Sequence, residues 1–325
     1  MKAIIQERPG GELLIKNIPI PEPGPGEVLV KMIYSPINPS DLSLLQGTYA
    51  SSPQYPVIPG IEGGGIVTKS GKGLVAGSRK GKRVACTAPP HGRGTWAEYM
   101  VTSAIRTIPL DKKINDEQGS MLLVNPLTAL AFIEITKKNK QKAIVNNAAS
   151  SSLGKILIHL CKKHGIELIN IVSRQSQLDT LKEQGAEYVL LSSSPDFETE
   201  LAEYSKKLNA KLFFDAVGGK QGEIMIRISP PGSIIINYAK LSEQNVSFDP
   251  RLLLQQNKKI QGFYLGNYTS EKTILQNLRA LGKVKDLLSN NIKIKISNRF
   301  PFEKINEALD YYRNNMSAGK VLLHP

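Results

Sequence analysis

Residues 144–156, IVNNAASSSLGKI, read as an apolar strand ending in small residues, then a turn, then the opening of a helix. At such a junction the first helical N–H groups lack intrahelical partners and the positive end of the helix dipole faces outward, which suits a pyrophosphate. Ala148, Ser151 and Gly154 keep the three-residue spacing of a dinucleotide turn, although only Gly154 is a glycine, so a search for GxGxxG passes over it. Taken alone, the stretch also fits an ordinary strand-to-helix turn of an α/β protein. The flanking sequence decides between the two.

Downstream, SLGKILIHLCKKHG has apolar positions at helical spacing, IELINIVS reads as a strand, and RQSQLDTLKEQG as a helix stopped by Gly185. YVLLSS, PDFETELAEYSKKLN, AKLFFDAVGG, GSIIINYA and KKIQGFYLG continue the alternation. Strands separated by amphipathic helices predict a parallel sheet covered on both faces, a doubly wound nucleotide-binding domain over residues 121–265. Upstream, the chain is rich in Gly and Pro and breaks into short β-branched runs (VLVKMIY, GGGIVTKS, GKRVACTA, WAEYMVTS), the pattern of a compact, mainly β unit. After Gly266 two helical stretches and the short strands IKIKIS and KVLLHP remain, too little to stand alone. They are expected to return to the N-terminal unit, giving a discontinuous first domain of residues 1–120 and 266–325. The fold class is α/β.

Composition narrows the partners. The 325 residues are 41% hydrophobic and carry a net charge of +14, which favours anionic partners such as phosphate-bearing cofactors. The lysine pairs Lys137-Lys138, Lys162-Lys163, Lys206-Lys207 and Lys258-Lys259 are scattered along the sequence and read as solvated faces rather than a binding stripe. With 6% aromatic residues, base stacking on nucleic acid is thinly supported. Cys86 and Cys161 are too few for a disulfide framework, which fits a reducing, cytoplasmic setting, and no apolar run reaches membrane-spanning length. A catalytic zinc needs three protein ligands. The N-terminal unit offers Cys86, His91 and scattered acids, Glu62 and Asp41 the best placed; Cys86 reads as a small buried hydrophobe and His91 as a loop residue, so no metal is expected.

The second strand of the nucleotide-binding unit speaks to the cofactor. Where an acidic side chain would hold the adenosine ribose hydroxyls and repel a 2′-phosphate, this chain has Ser173 and Arg174. A planar guanidinium fork suits a phosphate, which favours NADPH over NADH. The alternative is that Arg174 only opens the following helix from solvent.

Together PGPGEVLVKM, NPSDLSLLQGTY, PGIEGGGIV, GKRVACTA, GTWAEYMV, VNPLTAL, NAASSSLGK, FFDAVGG and IQGFYLG, in this order and spacing, resemble the medium-chain dehydrogenase/reductase superfamily over nearly the whole chain. The resemblance implies a GroES-like catalytic domain beside the Rossmann-type domain. Zinc-dependent members carry a Cys in the segment matching SPINPSD and a His where Ile61 stands; here Ile37 and its neighbours supply no thiol. The chain therefore looks like the zinc-free branch of quinone oxidoreductases and 2-enoyl thioester reductases. In the latter the tyrosine of QGxY is the proposed proton donor, which implies a catalytic role for Tyr49, with Asn38, Tyr55, Phe263 and Tyr264 toward substrate. Tyr264 replaces the tryptophan usual at its position. For the cofactor the resemblance implies Asn125, Thr128, the turn residues Ala149, Ser150, Ser151, Ser152, Leu153 and Gly154, then Ser173 and Arg174. It adds Val217, Gly218, Asn237, Tyr238, Phe263 and Leu265, and Lys320 near a cofactor phosphate. Expected acceptors are a quinone, an enone or an enoyl thioester, and the expected assembly is a homodimer. The rival reading is a non-enzymatic NADPH-binding protein with a nucleic-acid or structural role.

Overall fold

The computed structural model describes all residues except 50–53, 91, 291 and 292, so His91 lies outside the described residues. The chain divides into two compact units: Met1–Leu127 with Leu275–Pro325, and Thr128–Ile274. Unit 1 opens with the antiparallel pair β1 (Lys2–Gln6) and β2 (Leu13–Asn17). A larger sheet follows from β3 (Glu27–Pro36), β4 (Glu62–Ser70), β5 (Arg83–Thr87), β6 (Tyr99–Ser103) and β7 (Thr107–Pro109). Its ladder runs β3, β4, β5, β7, with β6 paired to β3.

Period-two alternation turns Val28, Val30 and Met32 of β3 onto Val67, Val84, Cys86 and Met100. Cys86 is thus a packed apolar side chain, and burial pushes its thiol up to about 12. A second cluster gathers Ile4, Ile37, Leu45 and the fully buried Trp96. Gly60 has φ +96°, and a Cβ there would lie 2.4 Å from the Trp96 indole, so both the backbone twist and the ring's approach require glycine.

Unit 2 is a six-stranded parallel sheet of β8 (Ala143–Asn146), β9 (Glu167–Val172), β10 (Tyr188–Leu191), β11 (Leu212–Asp215), β12 (Ile234–Asn237) and β13 (Lys259–Gly262). The order is β10, β9, β8, β11, β12, β13. All four residues of β8 and of β11 are buried, as expected for strands covered on both faces. Helices Ser152–His164, Gln175–Glu183, Phe197–Lys207 and Gly219–Ile228 supply the cover. Gly185, at φ +82°, follows the second of them. The KKIQGFYLG segment departs from the sequence reading: the strand stops at Gly262, and Leu265 opens the helix Leu265–Ser270.

The tail returns to unit 1 through β14 (Ile296–Pro301) and β15 (Lys320–His324). β15 runs parallel to β14 and antiparallel to β3, with Leu322 opposite Pro36 and Leu323 opposite Ser35. The strand expected at IKIKIS instead begins at Ile296, where pairing with Lys320 starts. Between these strands, helix Ile305–Asn314 buries Ile305, Ala308, Leu309 and Tyr312, one apolar stripe packed on the Trp96 cluster. Each large side chain of the stripe contributes about 1.5–3 kcal/mol by leaving water. Among the described residues no helix is long and apolar enough to cross a membrane.

Candidate active site

In unit 2 the candidate cofactor residues gather where the strands end, because every strand of a parallel sheet points its C-terminus the same way. After β8 the chain turns at Ala148, which holds the left-handed φ of +50°. Ala149 is fully buried, Ser150 and Leu153 are buried, and Ser151 and Ser152 are half-buried. Ser151 is the N-cap of the 152–164 helix, its Oγ accepting the Gly154 N–H at 3.1 Å. A Cβ at Gly154 would sit 2.2 Å from the Ala149 carbonyl oxygen, so the helix comes this close to its own turn only with glycine. Ser173 and Arg174 leave β9 exposed; Ser173 bonds the Gln177 side chain, and Arg174 is the N-cap residue of the next helix.

Asp215 knots this end together. Its Oδ1 accepts from Asn147 Nδ2 at 2.6 Å and from the Val217 and Gly218 N–H groups at 2.9 Å, while Oδ2 accepts from Asn237 Nδ2 at 2.8 Å. Asn147 closes the loop by accepting the Ala216 N–H. Tyr238 donates its hydroxyl to Asn146 at 3.2 Å, and burial, then the Asp215 charge, push its phenol above the ordinary value. The half-buried Asn237 and Tyr238 side chains are thus each held at the strand ends by one hydrogen bond. Asn147 was missed by sequence reading; its signal was a second polar residue in a strand end that could have stayed apolar.

Phe263 is held in an aromatic group. Phe132 stacks on Phe214 at 4.0 Å and meets Tyr238 at 4.9 Å and Phe263 at 5.2 Å, and Phe263 meets Tyr268 at 5.5 Å. Tyr268 donates to Glu134 at 2.6 Å, where Lys272 also binds. Half-buried Tyr264 precedes Leu265 at the helix start.

In unit 1, Asn38 caps the helix Pro39–Leu45, which leads into Gly47, Thr48 and the half-buried Tyr49. Half-buried Tyr55 donates its hydroxyl to the Leu44 carbonyl at 2.8 Å and so braces the end of that helix. Four buried polar side chains sit at the helix's other end. Asp41 accepts the Asn38 N–H at 2.7 Å and the Ile61 N–H at 3.0 Å. Glu62 accepts from Asn38 Nδ2 at 3.2 Å and from the Leu123 and Val124 N–H groups at 3.2 and 2.9 Å. Lys320 Nζ donates to Asn38 Oδ1. Asn38 and Lys320 are 1% and 3% exposed, and both ends of the Asn38 amide and the Lys320 ammonium are hydrogen-bonded inside the unit.

Burial pushes Asp41 up to about 7, against its two N–H donors and the Lys320 charge. Glu62 is likewise raised and Lys320 lowered by burial, each opposed by the other's charge. Sequence reading weighed Glu62 as a metal ligand; its position, the lone acid of the Gly-rich strand β4, instead marked an anchor for the start of the 124–138 helix. Asn125 lies half-buried and Thr128 buried on that helix. Among the described residues no three His, Cys, Asp or Glu side chains could hold a metal ion together.

Comparison with known proteins gives two family models, alcohol dehydrogenase GroES-like domain over residues 24–112 and zinc-binding dehydrogenase over 152–280. The chain is 29% identical to the mitochondrial enoyl-acyl-carrier-protein reductase of Xenopus tropicalis, covering 99% of this chain and 95% of that one. It is 30% identical to the Bos taurus enzyme of the same name, over 79% and 69%. Among solved structures, a Mesorhizobium loti protein assigned as an NADPH:quinone reductase superposes with TM-score 0.89 at 31% identity, covering 100% of this chain and 98% of that one.

Proposed function

The chain belongs to the medium-chain dehydrogenase/reductase superfamily, as an oxidoreductase of the nicotinamide-dependent kind, and from that premise we propose an NADPH-dependent, zinc-independent reductase of quinones or of carbonyl-conjugated C=C bonds such as those of 2-enoyl thioesters. The observation that carries the proposal is the strand-end cradle of unit 2. The capped helix at Ser151, the close turn that Gly154 permits and the exposed Ser173-Arg174 pair fit a dinucleotide bearing a 2′-phosphate.

The donor set does not fit zinc. Ile37, fully buried, and Ile61 occupy the positions where zinc-dependent relatives carry Cys and His, and Cys86 is sealed in an apolar cluster. Both Glu62 oxygens and both Asp41 oxygens already accept hydrogen bonds.

When bound, NADPH supplies the hydride. In conjugate reduction the hydride reaches the β-carbon and negative charge gathers on the carbonyl oxygen. A tyrosine phenol is a hydrogen-bond donor and proton source at neutral pH; Tyr49 donates a hydrogen bond to that oxygen and then the proton that completes the addition of two hydrogens. Gly47 and the Tyr55 brace hold the turn that presents it. Phe263 and Tyr264 offer apolar faces to the nicotinamide, and Asn125 and Thr128 lie on the helix directed to the cofactor. A quinone takes the hydride without a dedicated acid, since its product oxygens collect protons from solvent. The reading includes a homodimer through an edge of the unit 2 sheet, which ends in β10 on one side and β13 on the other.

The test is NADPH oxidation by wild type and Tyr49→Phe against a simple quinone and a short 2-enoyl thioester, with NADH alongside. Thioester turnover is expected to fall about a hundredfold or more in the variant. An unimpaired variant with quinone turnover dominant would make Tyr49 scaffold. NADH used as well as NADPH would remove the role given to Arg174.

A further inference from the structure

Three of the four lysine pairs that look scattered in the sequence meet on one face of unit 2; in the fourth, Lys258 is instead buried and donates to the Ile226 and Arg227 carbonyls. In a parallel sheet each connecting helix descends to the end where the next strand begins, so the helix C-termini collect opposite the strand-end cradle. Lys137-Lys138, Lys162-Lys163 and Lys206-Lys207 all lie in such last turns. Direct contacts join the three connections. The Lys211 N–H donates to Gln141 Oε1 at 3.2 Å, the Glu167 N–H donates to the Lys142 carbonyl at 2.8 Å, and Lys137 Nζ lies 3.2 Å from His164 Nδ1.

Segments 137–142, 162–167 and 206–211 together hold nine lysines against one acid, Glu167, with no arginine and no aromatic residue. Eight of these lysines are exposed and Lys211 is half-buried. Among the described residues none of the nine forms an ion pair. The concentrated charge is felt nearby: Lys163 and Lys162 add to the burial that lowers the His159 imidazole. Helix dipoles account for a lysine or two in each last turn. They do not account for Lys140, Lys142 and Lys211, which lie beyond the helices on the same face.

We propose that this lysine face is a docking surface for an anionic lipid bilayer, at the end of unit 2 away from the cofactor cradle. The side-chain chemistry selects the partner. Nucleic-acid recognition draws on arginine forks and stacking aromatics, both absent from these three segments. Protein interfaces are depleted in lysine. Flexible, strongly hydrated ammonium groups without an apolar wedge suit a hydrated anionic headgroup layer, where each lysine adds to a diffuse attraction.

The experiment is co-sedimentation of the full chain with phosphatidylcholine vesicles containing about 30% phosphatidylglycerol, and with phosphatidylcholine alone, at about 0.15 M salt. One variant carries Lys137→Gln, Lys138→Gln, Lys162→Gln and Lys163→Gln. A second removes the same charge from unit 1 through Lys72→Gln, Lys80→Gln, Lys112→Gln and Lys113→Gln, all exposed positions. Circular dichroism and NADPH turnover check that each is folded. Wild type is expected to bind only the anionic vesicles, the first variant to lose about tenfold or more in partitioning, and the second less than about threefold. Equal losses in both variants, or no wild-type binding to anionic vesicles, would overturn the proposal. So would tighter retention on duplex DNA than on those vesicles at the same salt.

Discussion

Each unit contains a buried carboxylate knot, and the two are solved differently. In unit 2, Asp215 is satisfied wholly by N–H donors from two asparagines and two backbone amides. In unit 1, Glu62 and Asp41 share their space with a buried ammonium, Lys320, which reaches them through Asn38. A knot of dipoles loses one hydrogen bond at a time, whereas a knot of ions strands a charge when its counterion goes. The difference lies in what each knot holds: the first aligns three strand ends within one sheet, while the second ties the 39–45 helix, β4, β15 and the start of the 124–138 helix.

The largest effect is expected from Lys320→Met. Leaving Glu62 and Asp41 without a cation costs about 3–5 kcal/mol, read by urea unfolding. Adding Glu62→Gln, which keeps an acceptor for the helix N–H groups, should recover part of that loss. Asp215→Asn is the counterpart, expected to cost about 1–3 kcal/mol and to weaken NADPH binding, because one amide group now faces donors. Equal costs for the two variants would erase the distinction between the knots.

Next comes a pH effect confined to the ionic knot. Folding raises Asp41 to about 7, so between roughly pH 4 and 7 the native state holds a proton that the unfolded chain has released. The Asp41 contribution therefore makes stability fall as pH rises through that window and level off above it. Urea titrations at pH 5 and pH 8 should show a smaller difference in Asp41→Asn than in wild type. The smallest effect is Ala148→Gly, expected to stabilise by about 0.5 kcal/mol, since relief of a left-handed alanine outweighs the added freedom of the unfolded chain. A destabilised variant in thermal unfolding would mean that the methyl group has a packing role in the turn.

Local patterns carried most of the fold: alternation in β3, helical spacing after Ser151 and the small residues of the dinucleotide turn all arise from neighbours a few positions apart. What the sequence concealed depends on distance along the chain. Asn38 and Lys320 are 282 positions apart, and nothing local to Lys320 distinguishes a buried counterion from a surface lysine. The lysine pairs were visible, but their convergence needed the parallel topology. The bond from Tyr55 to the Leu44 carbonyl was hidden because its acceptor is a backbone group at a helix end rather than a side chain.

Trp96 is the chain's one tryptophan, and it lies fully buried in unit 1 against Gly60. Its emission is therefore an internal reporter of unit 1 alone, blue-shifted while the indole is shielded and red-shifted once that core opens to water. Tyrosine absorbance and far-ultraviolet dichroism follow both units. Where the tryptophan signal and the dichroism change at the same denaturant concentration, the two units melt as one cooperative block; where they part, each unit's stability is read separately from one unlabelled sample.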